Sequence, residues 1–223
     1  MKTIRNLVAV LALLLVAPML RAQDLSKYRA FSVGSNLPAV LKLTEQKPAD
    51  AKTIHVHPTL IQEVTWWPPA LRETNFRSDS VEQILFSFSD GQLYKMSVTY
   101  DQSGVAGLTI KDLVDSMSVK YGTPTKVAAE TTLPASDRFA SAQTVIASWE
   151  DPLYQVDLVR SSYSDGFGLV ITSKNLNVQA ETAIAEAVKR EEQERPLREA
   201  ELRRKEADDL ETARQKNKKI FHP

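Results

Sequence analysis

His55 and His57 flank Val56 in the segment Ile54-His55-Val56-His57-Pro58. On a strand, residues two apart point to one face, so both imidazoles could reach one metal ion, with Glu63 as a third ligand close in sequence. A His-x-His pair without a placed third ligand is far more often an ordinary solvent-facing strand. Serine hydrolysis lacks its parts. A triad needs a general base, and the only other histidine, His222, stands at the far end of the chain; no Gly-x-Ser-x-Gly elbow is present. Gly104-Val105-Ala106-Gly107 precedes a helical pattern but lacks the Lys-Ser/Thr of a phosphate loop. Asp112 with Asp115, and Glu150 with Asp151, are carboxylate pairs of the type glycosidases use. They fall on a helix face and a turn, where capping and solvated carboxylates are the commoner case. The chain has no cysteine, which excludes disulfides, thiol catalysis, Cys-ligated zinc and iron–sulfur clusters. No cofactor is expected.

Trp66-Trp67-Pro68-Pro69 is the aromatic feature that stands out. On a strand the two indoles must point to opposite faces, so both cannot be core. Trp66 is expected inward and Trp67 outward, where an exposed tryptophan is a typical binding hot spot. The alternative is that Trp67 is covered by the Leu71–Phe76 loop or by the C-terminal helix. Tyr100 and Tyr154, with Tyr163, are further candidates for an aromatic surface.

Basic and acidic residues balance at 28 each, which argues against nucleic acid as the main partner. Residues 1–22 read as a signal peptide. Lys2 and Arg5 open it, 14 uncharged residues run from Leu7 to Leu20, and Ala22 fits the cleavage position. The run is short of the roughly 20 apolar residues a membrane helix needs. The expected address is periplasmic or secreted, with no membrane span after cleavage. Losing Lys2, Arg5 and Arg21 leaves 25 basic groups against 28 acidic ones.

The same order of signals occurs twice between the leader and the tail. Phe88-Ser89-Asp90-Gly91 stands against Tyr163-Ser164-Asp165-Gly166, and Asp-Gly is a strong hairpin signal. Strand-like runs ending in Trp66 and Trp149, each followed by proline, precede these turns. A short helix precedes each run: Leu37 to Leu43 after Gly34-Ser35-Asn36, and Leu108 to Tyr121 before Gly122-Thr123-Pro124. In the second helix Thr109 or Gly107 can cap, and Ile110, Leu113, Val114, Met117 and Tyr121 form one face. Strand alternation puts Ile84, Phe86 and Phe88 on one side. It likewise groups Tyr94, Met96, Val98 and Tyr100, and then Tyr154, Val156 and Leu158. The expected fold class is α+β: two tandem units of helix plus three- or four-stranded antiparallel sheet, then a charged C-terminal helix. The expected boundaries are 23–104, 105–174 and 175–223.

This element order resembles the β-lactamase-inhibitor-protein-like fold and is similar to the single unit of the small SmpA/BamE-type outer-membrane assembly lipoproteins. The resemblance rests on Gly34-Ser35-Asn36-Leu37, Trp66, Asp90-Gly91, Tyr121-Gly122-Thr123-Pro124, Trp149 and Asp165-Gly166. The chain lacks the lipid-bearing cysteine of the one family and the disulfides of the other. What the resemblance implies is binding rather than catalysis: a non-enzymatic module of the cell envelope that meets another protein or an envelope component through a sheet face. The competing expectation is an envelope metal-dependent hydrolase using His55 and His57.

Residues 175–223 hold 11 basic and 11 acidic groups and no glycine. Glu186–Arg190, Glu191–Arg195, Glu194–Arg198, Glu199–Arg203 and Glu201–Lys205 are i,i+4 pairs in the favourable orientation, each contributing about 0.2–0.5 kcal/mol. Ala180, Ile184, Ala187 and Val188 form a short apolar stripe expected to dock on the globular part. Pro196 is expected to kink or break the helix, and the tail beyond to be partly disordered. A third expectation makes this helix itself the active part, as a spacer or docking element.

Overall fold

The computed structural model describes residues 23–69, 80–127, 143–161 and 166–220. The expected leader, the 71–76 loop, Tyr163 and the turn at 164–165 lie outside them. In chain order, a small hairpin (β1, Lys27–Tyr28; β2, Phe31–Ser32) leads into helix α1 (Leu37–Thr44). Strands β3 (Lys52–His55), β4 (Ile61–Trp66), β5 (Val81–Ser89) and β6 (Gln92–Tyr100) follow. Then come α2 (Gln102–Val105), α3 (Ile110–Tyr121), β7 (Lys126–Val127), β8 (Gln143–Glu150), β9 (Tyr154–Ser161), β10 (Phe167–Ser173) and α4 (Lys174–Ile220). Strands β3 to β10 make one antiparallel sheet in the spatial order β3-β4-β5-β6-β10-β9-β8-β7. The architecture is α+β, with a large antiparallel sheet and a long C-terminal helix.

Local chemistry explains the element ends. Asn36 caps α1 by accepting the Ala39 N–H at 2.9 Å, and Pro38 occupies the first turn, where no helical N–H is needed. Thr109, not Gly107, caps α3. Its hydroxyl accepts the Asp112 N–H at 3.2 Å while the Asp112 carboxylate accepts the Thr109 N–H at 2.8 Å, a reciprocal capping box. Between β5 and β6, Asp90 and Gly91 take φ of 47° and 75°, the left-handed pair that a two-residue hairpin requires.

The front of the sheet carries the main core. One buried row runs straight across six strands through Val64, Phe86, Met96, Ile171, Val156 and Trp149. The first hairpin, α1 and α3 pack on it through residues such as Tyr28, Phe31, Val40, Leu113 and Tyr121. Trp149 is 1% exposed, and its Nε1–H donates to the Gly122 carbonyl at 2.7 Å, so the end of α3 is bolted to β8. Trp66 is half-buried on the same side, edge-on to Phe31 with ring centres 5.5 Å apart.

Among the described residues, the back of the sheet meets the first turns of α4. Tyr94 is the correction here, because it does not share a face with Met96, Val98 and Tyr100. Leu93 pairs with Phe88 and Lys95 with Ser87, so Tyr94 is the extra residue of a bulge. It joins Ile61, Ala180, Leu176 and Ile184 in a second, smaller cluster. Ala183 and Ala187 are also buried, whereas Val188 is largely exposed. Ala residues let the helix backbone lie close to the strands.

α4 also departs from expectation further on. It stays helical for 47 residues, and Pro196 lies inside it without breaking it. The missing N–H leaves one carbonyl, that of Glu192, without its helical donor, and there water can replace it because the whole turn is exposed. Of the five expected ion pairs, Glu194–Arg198 (3.0 Å) and Glu199–Arg203 (3.8 Å) form, while Glu191 turns to His55 instead.

Candidate functional site

One residue's step along each strand leads from the buried front row to a different surface. The back row, in register across six strands, is Thr65, Leu85, Ser97, Val170, Asp157 and Ser148. All but Ser148 are half-exposed, and none belongs to the cluster under α4. The row is short-chained and mixed: Leu85 and Val170 flank the Ser97 hydroxyl at its centre, Thr65 and Ser148 put hydroxyls at its ends, and Asp157 is its one carboxylate. Asp157 is held in place by Ser148 Oγ, donating at 2.6 Å, and by Gln155 Nε2, donating at 2.8 Å. Such a row offers both apolar contact and fixed hydrogen-bonding groups.

Trp67 stands one residue beyond the end of β4 and is 61% exposed. Continuing the alternation of β4, in which Trp66 faces front, places it on the Thr65 side. The other two expected binding aromatics do not join it. Tyr100 is buried in the front core, with its hydroxyl 3.4 Å from that of Tyr28, and burial pushes its phenol far above the usual range. Tyr154 is half-buried and packs against the same core. Sequence reasoning missed the row itself, although the polar partners in each alternating strand were its signal.

The metal hypothesis does not assemble. His55 ends β3, whereas His57 lies past the strand in the turn that carries a cis His57–Pro58 bond. Glu63 pairs in register with Lys52, not with His55. His55 Nδ1 lies 2.9 Å from a Glu191 carboxylate oxygen on α4. Among the described residues, no three His, Asp or Glu side chains are grouped to hold a metal ion.

The carboxylate pairs are similarly engaged. Asp112 is the capping-box residue of α3, and the Thr109 hydroxyl and N–H hold its carboxyl below the ordinary value. Asp115 pairs with Lys111 on the exposed face of α3. Hydrogen bonds and charge from Lys174 and Lys126 hold Glu150 below its ordinary value, the opposite of what a general acid needs. Asp151 accepts the N–H groups of Leu153 (2.7 Å) and Tyr154 (2.6 Å), forming the β8–β9 turn. A cleft of about 300 Å³ lies beside them, between Gln23, Tyr121, Thr125, Trp149 and Glu150. Both carboxylates that line it, Glu150 and Asp151, are thus already engaged.

No known protein-family profile, curated protein or solved structure matches the chain. Among the described residues, no helix is long and apolar enough to cross a membrane.

Proposed function

We propose that this chain is a non-enzymatic binding module of the periplasm or the secreted space, which meets another envelope protein through the back of its sheet, with Trp67 at the rim. The observation that carries the reading is the exposed Trp67 indole on the side of a half-open cross-strand row that α4 leaves clear. Large aromatics at the edge of a surface that is neither fully apolar nor fully charged are typical anchors of protein interfaces. The engagement of Glu150, Asp151 and Asp112 in pairs and caps favours binding over acid–base chemistry.

The reading includes two tandem units. What supports it is the order α1-β3-β4-β5-β6 followed by α3-β7-β8-β9-β10, with the two final strands, β6 and β10, meeting at the centre of the sheet. In that order β5–β6 and β9–β10 are corresponding strand pairs, each the last antiparallel pair of its unit. This is the arrangement that the resemblance to the inhibitor-protein-like and SmpA/BamE-like folds leads one to expect. The leader at 1–22 supplies the address, and N-terminal sequencing of the exported protein should begin at Gln23.

Site-specific photocrosslinking in cells tests the reading. A crosslinker at position 67 is expected to trap a discrete protein that the same group at Val119, exposed on α3, does not trap. Identical adduct patterns from both positions would contradict it.

A further inference from the structure

The last buried residue of α4 is Ala187, and its last side-chain contact with the sheet is Glu191 to His55. Every residue from 192 to 220 is exposed, so about 40 Å of helix stands clear of the body. Charge is not spread evenly along it. Glu206, Asp208, Asp209 and Glu211 form one block, and Arg214, Lys216, Lys218 and Lys219 form the next. Within the helix only Glu211 and Arg214 join the two blocks, at 3.0 Å. Among the described residues, Lys216, Lys218 and Lys219 make no ion pair. Arg214 with Lys218, and Lys216 with Lys219, are like charges at helical spacing, which destabilise an isolated helix. Glu206, Leu210, Ala213, Asn217 and Ile220 recur every four and three residues along one stripe, with Leu210 72% and Ile220 63% exposed.

We propose that the end of α4 is a self-association surface, pairing antiparallel with the same segment of a second copy of this chain. Antiparallel overlap sets each acidic block against the basic block of the other helix. With Leu210 beside Ala213 of the second copy, Asp209 meets Lys216 of the second copy, and symmetry repeats the contact. A parallel pair would set acid on acid and base on base. Residues 206–219 carry four charges of each sign, so a polyanion or an anionic membrane that attracts one block is repelled by its neighbour. A second copy is the occupant that satisfies both. The overlap is only about 20 Å long and buries far less surface than the roughly 1,600 Å² of a standard interface, so the dimer is weak and salt-sensitive.

Sedimentation equilibrium of the purified protein tests this. At about 1 mM protein and about 20 mM ionic strength a monomer–dimer equilibrium is expected, shifting to monomer at about 0.5 M salt. Lys216→Glu and Asp209→Lys should each be monomeric alone, because each sets like charges together twice. Their equimolar mixture should dimerise, because both contacts become opposite again. Both substitutions lie on exposed helix, and circular dichroism should show the fold unchanged. Monomer under all conditions, dimerisation of either variant alone at the unsubstituted strength, or failure of the mixture to associate would each overturn the proposal.

Discussion

Val64, Phe86, Met96, Ile171, Val156 and Trp149 cross the sheet on one side, and Thr65, Leu85, Ser97, Val170, Asp157 and Ser148 cross it on the other. The two rows are one residue apart along every strand, yet one is sealed beneath two helices and a hairpin and the other is half open. The contrast shows where the strands spend their apolar side chains. Trp149, Phe86 and Met96 are committed to holding the fold. The back row keeps smaller, mixed groups and is half open except at Ser148, while the alanine-lined turns of α4 cover Ile61 and Tyr94 beside it.

The rows should respond very differently to truncation. Trp149→Ala removes a buried indole and orphans the Gly122 carbonyl, so thermal or urea unfolding should show a loss of about 3–5 kcal/mol. Thr109→Ala removes the α3 cap and should cost about 1 kcal/mol in the same assay.

The tie between β8 and the start of α4 is pH-dependent through Glu150 and Lys174. The folded-state pKa of Glu150 is depressed, so its stabilisation is present above the unfolded-state value and is lost as pH falls through the folded value. Glu150→Gln should therefore flatten the acid limb of the stability profile below the ordinary value of 4.5, with little change in that slope above it. At the small end, Ser97→Ala on the back row should change stability by no more than about 0.5 kcal/mol, while reducing capture by a crosslinker at position 67. Equal destabilisation by Trp149→Ala and Ser97→Ala would erase the distinction between the rows.

Most of this scaffold was readable in the residues, because it rests on short-range rules. Asn36 and Thr109 are caps, Asp90-Gly91 is a hairpin, and Ile84, Phe86 and Phe88 alternate inward, as their spacing requires. Three features escaped because they depend on distant partners. The bulge at Tyr94 exists so that Leu93 can fill the front core and Tyr94 can meet Ala180 on α4. Tyr100 has a polar tip that suggested a wet surface, but Tyr28, 72 positions earlier, receives it inside the core. His55 finds Glu191 across 136 positions. Pro196 does not break the helix. Its local penalty is outweighed by flanking Ala, Glu and Arg residues of high helix propensity on a fully solvated turn.

Acrylamide quenching of tryptophan fluorescence, with and without the protein trapped at position 67, asks most directly whether the back of the sheet is the working surface. Trp149 and the half-buried Trp66 should quench weakly and Trp67 strongly, and adding the trapped protein should abolish the strongly quenched component. If that component persists unchanged at saturating partner, the binding surface lies elsewhere on the molecule.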